Sequence, residues 1–258
     1  MKRETQIIAT IGPASSTEEV FSKMVPFIDM VRLNFSWGTH EEMEKKIEMI
    51  RKVAEISNKN ISIIQDLSGP RVQTENGHHF NDQANGAVTD KDIKDLVFGI
   101  EHKVDYVALS YIESANNVTE LRSQMEKHGA TIPIIAKIER PLAVEHIEEI
   151  IDVADAVMIA RGDLGEAFPI EEIPFLERRI LSSCKKKGRF VIVATEMLTS
   201  MMGHDRPTRA EVTDVAYAVS GGASAVMLSE ETAIGVHPAL VVEVLDKIVH
   251  YAEEHKLL

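Results

Sequence analysis

The chain carries a single cysteine in 258 residues, so no internal disulfide can form. Cys184 stands beside Lys185, Lys186 and Lys187 and has no thiol neighbours at metal-binding spacing. No apolar run approaches the ~18 residues that a membrane-spanning helix needs. Residues 1–5 carry charge and lead straight into an apolar segment, which excludes a signal-peptide reading. Basic residues are in short supply: 28 Lys and Arg against 41 Asp and Glu leave a formal net charge of −13. With no diffuse positive field, nucleic acid is not the expected partner, and no membrane surface is either. An anionic ligand would have to be met by cations held locally, as metal ions or a few placed Lys and Arg. No disorder-prone tract stands out among 44% hydrophobic and 27% charged residues. The expectation is one soluble, cytoplasmic globular domain.

What is present is a repeated alternation. Short, near-continuous apolar runs occur at 6–11, 29–33, 61–65, 106–109, 132–138, 156–160, 190–194 and 225–228. Such runs suit parallel strands buried on both faces. Each is followed by a stretch of helical periodicity. Ser16-x-x-Glu19 reads as a capping box, Thr89 precedes a helix-like run at 92–100, and Pro238 opens the last helix. Gly188 reads as a helix stop before the seventh strand. Eight such units in a chain of about 250 residues predict a closed (β/α)8 barrel spanning 1–258, where an open doubly wound sheet would have fewer strands. The only long irregular stretch is 71–88, between the third strand and its helix.

In a barrel of this kind, reacting groups belong at the C-terminal ends of the strands. There the sequence places Arg32, Asn34 and Ser36 after the second strand, Asp66 after the third and Ser110 after the fourth. Lys137 and Glu139 fall on the fifth, Arg161-Gly162-Asp163-Leu164-Gly165 after the sixth, Thr195-Glu196 after the seventh and Ser229 after the eighth. A lysine within the apolar run Ile134-Ile135-Ala136-Lys137-Ile138 needs a carboxylate or an anionic ligand, because an unpaired buried ammonium is costly. A strand-end lysine snorkelling to solvent is the structural alternative. Two residues apart in an extended strand, Lys137 and Glu139 point the same way. Glu139 and Asp163 could together serve Mg²⁺, which takes one or two carboxylates and keeps water and substrate oxygens. Backbone amides around Arg161, Gly162 and Asp163 could hold a carboxylate or phosphate, with Gly162 and Gly165 allowing close approach.

These motifs resemble pyruvate kinase, in order and over nearly the whole chain. Ile8-Ala9-Thr10-Ile11-Gly12-Pro13 is similar to that family's opening strand, and Val31-Arg32-Leu33-Asn34-Phe35-Ser36 to its substrate and monovalent-cation segment. Ile135-Ala136-Lys137-Ile138-Glu139, Ile159-Ala160-Arg161-Gly162-Asp163-Leu164-Gly165 and Arg206-Pro207-Thr208-Arg209-Ala210-Glu211 extend the likeness. The resemblance implies a phosphotransferase using phosphoenolpyruvate and ADP with Mg²⁺ or Mn²⁺. It implies that Arg32 and Lys137 neutralise the transferred phosphoryl group while Glu139 and Asp163 bind the divalent metal. Ala160, Arg161, Gly162, Asp163, Thr195, Ser110 and Ser229 would contact substrate, with Thr195 also assisting enolate protonation. Asn34, Ser36, Asp66 and the Leu67 carbonyl would line a K⁺ site, for which the Arg71 guanidinium could substitute. The 206–217 region resembles the family's interface helix and implies a homodimer.

Several residues depart from that family's pattern. The lid domain usual after the third strand is replaced by 71–88, and the chain ends after the eighth helix. Trp37 stands where histidine is usual, Ser68 for lysine, Gln73 and Glu113 for arginine, Glu196 for glutamine, Tyr217 for asparagine and Glu230 for glycine. These differences gather on the expected nucleotide side and at subunit contacts. They leave open a nucleotide-independent enzyme acting on the enolate of pyruvate or a related keto acid, and a non-catalytic binding protein.

Overall fold

The computed structural model describes residues 3–74, 77–81, 86–255 and 257. Along the chain run β1 (Gln6–Thr10), α1 (Glu18–Met24), β2 (Met30–Asn34), α2 (His40–Ile56) and β3 (Ser62–Asp66). A hairpin of β4 (Arg71–Thr74) and β5 (Gly77–Phe80) follows, then α3 (Asp90–Glu101), β6 (Tyr106–Leu109), α4 (Ala115–Lys127) and β7 (Ile134–Ile138). The second half contains α5 (Pro141–Glu145), α6 (Ile147–Val153), β8 (Ala156–Ala160), α7 (Arg161–Ala167), α8 (Ile173–Lys186) and β9 (Phe190–Ala194). It closes with α9 (Arg209–Ser220), β10 (Ala225–Leu228), α10 (Glu230–Ala233) and α11 (Pro238–His255).

The sheet is a closed parallel barrel in the order β1-β10-β9-β8-β7-β6-β3-β2, which is the expected (β/α)8 architecture. Two apolar layers hold it. Ile8, Met30, Ile64, Ile135, Met158 and Ile192 fill the interior of the barrel. The larger layer lies between strands and helices, where Ile7, Leu33, Ile63, Leu109, Ile138 and Val193 meet the buried stripes of the helices. Burial of each such side chain contributes about 1.5–3 kcal/mol, so the alternation of the two layers fixes strand facing more strongly than any loop does. Gly99 lets α3 approach closely: a Cβ there would lie 2.0 Å from Gln65 Oε1.

The N-terminal rim of the barrel follows a repeat of two strands. The residue preceding every second barrel strand reaches back to a backbone N–H at the start of the strand before it. Asp29 accepts from Ile7 N (2.9 Å), Asp105 from Ile63 N (2.7 Å) and Asp155 from Ile134 N (2.9 Å). Ser224 Oγ does the same for Val191 N at 3.1 Å. Each aspartate also receives an arginine: Arg3, Arg51 and Arg122 respectively. A group that would otherwise be an orphaned strand donor is thereby satisfied.

Two local expectations need correcting. The cap of α1 is Thr17, which accepts from Val20 N, and not Ser16, whose hydroxyl instead donates to Pro13 O. The 71–88 stretch is not wholly irregular, since β4 and β5 pair antiparallel from Arg71↔Phe80 to Thr74↔Gly77. Residues 75, 76 and 82–85 of that stretch lie outside the described residues. Thr89 does cap α3, in a reciprocal box with Asp92. Gly188 follows the last turn of α8 at φ 62°, where a left-handed residue ends the helix. No helix among the described residues is long and apolar enough to cross a membrane.

Candidate active site

Parallel register sets the depth of each polar side chain. Asn34 stands opposite Asp66 between β2 and β3, and Asp66 opposite Ala108 between β3 and β6. Lys137 comes from β7 at the same end of the barrel. Its ammonium lies 3.2 Å from Asp66 Oδ1 and 2.8 Å from Glu139 Oε1, and it donates to Ser110 Oγ at 2.7 Å. Arg32 Nε donates to the other oxygen of Asp66 at 2.6 Å. Glu139 Oε2 accepts from Tyr111 N at 2.5 Å, while its Oε1 contacts Lys137 as an ion pair without hydrogen-bond alignment. Lys137, Asp66 and Glu139 are all less than 5% exposed, so the lysine does not snorkel.

The burial of these groups has opposite outcomes. Burial alone would raise the Asp66 carboxyl, but Lys137 and Arg32 outweigh it and hold it below the usual range. Burial would likewise lower the Lys137 ammonium, and Asp66 and Glu139 reverse this and raise it. Glu139 is not fully compensated: burial, opposed by Lys137 and reinforced by Asp163, pushes its carboxyl up to about 7. A buried carboxyl raised in part by a neighbouring acidic side chain suits a cation beside it. Glu139 and Asp163 therefore fit a Mg²⁺ ion that keeps water and substrate oxygens in its other positions. Among the described residues, no cluster of three or more His, Cys, Asp or Glu forms a fuller metal cage.

Beside this cluster, β8 pairs with β7 and runs directly into α7, whose first turn contains Arg161, Gly162 and Asp163. Gly162 N donates to Thr195 Oγ1 at 2.7 Å, and that hydroxyl donates to Ala194 O at 2.6 Å. A Cβ at Gly162 would come no closer than 3.5 Å to Thr195, and one at Gly165 would meet nothing within 4 Å, so the protein's own packing does not demand either glycine. The Arg161 side chain turns away from the mouth to Glu177, Asp214, Thr195 O and Met197. Only its backbone faces the ligand side. Ser229, with a buried and unpartnered hydroxyl, lies at the end of β10.

The residues of the expected K⁺ site are close together but largely engaged. Asn34 Oδ1 accepts from Ser36 N, the Leu67 carbonyl from Ser110 Oγ, and both Asp66 oxygens face cations. Ser36 Oγ is buried without a partner. Arg71 donates through Nε to Ser68 O at 2.6 Å, sets its guanidinium 5.2 Å from the centre of the Tyr111 ring, and helps to hold the Asp66 carboxyl low.

Three features escaped sequence reasoning. Tyr111 O–H lies 3.5 Å from Asp163 Oδ1, and its φ of 55° turns the chain there. Glu177 and Asp214, remote in sequence, converge on Arg161. A cavity of about 720 Å³ opens between β1, β2 and β10, lined by Pro13, Arg32, Trp37, Lys45, Lys46 and Ile234 among others. Glu42 and Glu230 also line it. The 3.6-residue period that brings Glu42, Lys45 and Lys46 of α2 towards Trp37 was the available signal.

The closed barrel, with a buried ionic cluster at the C-terminal ends of its strands, has the architecture in which active sites occupy that rim. The family model "Pyruvate kinase, barrel domain" matches residues 2–86 and 81–242. The pyruvate kinase of Sporosarcina psychrophila is 32% identical over 330 aligned positions, covering 95% of this chain and 56% of that protein. Pyruvate kinase 2 of Synechocystis sp. is 31% identical, with 100% and 58% covered, and the Corynebacterium glutamicum pyruvate kinase 32%, with 98% and 70% covered. The chain belongs to the pyruvate kinase family. It spans a little over half the length of the first two of these relatives.

Proposed function

We propose that the barrel of this chain carries a phosphotransferase site that moves phosphate from phosphoenolpyruvate to ADP. The observation that carries this reading is the buried Lys137, fixed among Asp66, Glu139 and Ser110 at the mouth. Phosphoryl transfer requires positioning and charge neutralisation more than covalent chemistry. Lys137 and Arg32 supply two fixed positive charges, each oriented by Asp66, with no reorganisation at the moment of transfer. The amides of Arg161 and Asp163 would hold the carboxylate of the three-carbon substrate, the Thr195 hydroxyl, anchored on Gly162 N, would turn its proton from Ala194 O to the ligand, and Ser110 and Ser229 would flank it. Thr195 then stands beside the enolate carbon as part of the proton path. Glu139 and Asp163 would hold Mg²⁺ or Mn²⁺, which supplies Lewis-acid stabilisation of the enolate oxygen.

The cavity beside Trp37 is large enough for a nucleotide, with an aromatic face for a base and Arg32, Lys45 and Lys46 for phosphates. The hairpin at 71–80 stands where the family inserts its lid. Arg71, within reach of Asp66 and Tyr111, would take the place of K⁺. A cytoplasmic location and a homodimer through 206–217 complete the reading. Glu42 and Glu230 on the cavity wall favour a second possibility, an enzyme that works on the enolate of pyruvate or a related keto acid without nucleotide.

Pyruvate formation from phosphoenolpyruvate with Mg²⁺, with and without ADP and with and without K⁺, separates these readings. The expected result is ADP-dependent pyruvate with equal ATP, unchanged by K⁺. Strong K⁺ activation overturns the role of Arg71. Absence of ADP-dependent product, with solvent proton exchange at the pyruvate methyl, establishes the second reading.

A further inference from the structure

The exit of β9 contains two residues in a conformation that their side chains disfavour. Thr195 (φ 69°) and Glu196 (φ 54°) both occupy the left-handed region, and neither is glycine. A β-branched residue there is a steric outlier that persists only when its surroundings over-determine it. The group that fixes it is Arg161, only 7% exposed. Its Nη2 donates to Thr195 O at 2.7 Å and contacts Met197 Sδ at 2.9 Å. Its Nη1 lies 3.1 Å from Glu177 Oε2 on α8 and 2.7 Å from Asp214 Oδ2 on α9. One guanidinium therefore ties the strained peptide to two helices.

We infer that Arg161 is a positioning residue, which holds Thr195 so that its hydroxyl stays on Gly162 N and faces the substrate. The inference rests on the proposed contact of Thr195 with substrate. The ionic network itself is poorly built for stability. Arg161 Nε and Glu177 Oε1 are buried with no partner, and burial raises the Glu177 carboxyl despite the adjacent arginine. Buried ion pairs left partly unsatisfied stabilise less than apolar packing of equal volume. What this one does uniquely is place a fork of donors, in fixed geometry, across a carbonyl and two carboxylates.

The test is a double-mutant cycle of Arg161→Lys and Thr195→Ala in the whole chain, read by pyruvate formation from phosphoenolpyruvate, ADP and Mg²⁺. Lysine keeps the charge beside Glu177 and Asp214 but cannot bridge both and the Thr195 carbonyl. Arg161→Lys is expected to lower kcat about 100-fold, with little change in KM for phosphoenolpyruvate. In the Thr195→Ala background it is expected to cost nothing further. Equal fold-losses in both backgrounds overturn the inference and leave Arg161 a structural residue. Urea unfolding of the same proteins separates any loss of fold. If Arg161→Lys does not fold, Asp214→Asn, which removes the more exposed partner, is expected to give a smaller kcat loss that again vanishes with Thr195→Ala. If the wild-type chain makes no pyruvate, the proposed function fails, and amide hydrogen exchange at Gly162 then decides. Loss of protection at Gly162 in Arg161→Lys, with the other barrel strands unaffected, supports the positioning role; unchanged protection overturns it.

Discussion

The two rims of this barrel handle charge in opposite ways. At the N-terminal rim the same device recurs around the ring: Asp29, Asp105, Asp155 and Ser224 each receive a backbone N–H from the start of the preceding strand. The three aspartates are 28%, 37% and 39% exposed in their side chains, and each pairs with one arginine, the largely buried Arg3 and the partly exposed Arg51 and Arg122. At the C-terminal rim nothing repeats. Asp66 faces two cations, Lys137 two carboxylates, and Glu139 is left with its carboxyl near 7. A repeated, half-solvated pair is what a structural requirement common to every strand produces. A single buried cluster with incomplete compensation has no such requirement behind it, and that asymmetry supports placing the proposed chemistry at this rim.

Lys137→Met tests the C-terminal rim most strongly. Turnover of phosphoenolpyruvate is expected to fall by about 100- to 1,000-fold or more, since a preorganised charge at the transferring group is lost. The fold is expected to survive. Glu139, already titrating near 7, can take a proton when its ammonium partner disappears, and Asp66 keeps Arg32. Near-normal turnover, measured with circular dichroism to confirm folding, would remove Lys137 from the proposed mechanism.

Asp66→Asn is expected to affect stability more than Lys137→Met does. It leaves Arg32 and Lys137 buried around a neutral amide, a loss of about 3–5 kcal/mol for a broken buried pair. The effect should depend on pH in a defined direction. The Asp66 carboxyl is held below its ordinary value, so its contribution is complete above roughly pH 4, where the unfolded carboxyl is ionised. It is lost as pH falls through the lower folded value. Urea midpoints of the two proteins should therefore differ widely at pH 7 and converge in acid. A gap that stays constant would show that asparagine fails for steric reasons instead.

How legible each rim was in sequence follows from the same contrast. Lys137 stood out because an ammonium inside Ile134-Ile135-Ala136 violates the strand's apolar pattern, and Glu139 followed from the two-residue period. The barrel was legible because eight apolar runs are a count, which tolerates boundary errors of a residue or two at 29–33 or 132–138. Arg161 is legible only in part: the loop's glycines point to its backbone, while the burial of its side chain against two helices leaves no local mark. Its partners Glu177 and Asp214 lie 16 and 53 residues away, and no local pattern announces them. The hairpin of β4 and β5 is hidden by the polar composition of 71–88, which shows no apolar alternation to mark two strands. The N-terminal rim leaves a mark in the sequence too: Asp29, Asp105 and Asp155 each immediately precede a barrel strand.

That rim makes the smallest and most discriminating prediction. Asp155 receives Ile134 N and Arg122, and at 39% exposure the ion pair with Arg122 contributes little beyond the hydrogen bond. Asp155→Ala is therefore expected to cost about 1–2 kcal/mol by urea unfolding, mostly from the unsatisfied strand donor. Asp155→Ser should recover most of that loss, because Ser224 performs the same task for Val191 with a hydroxyl alone. If serine proves as costly as alanine, the carboxylate charge holds this rim, and the two rims would differ in exposure and not in kind.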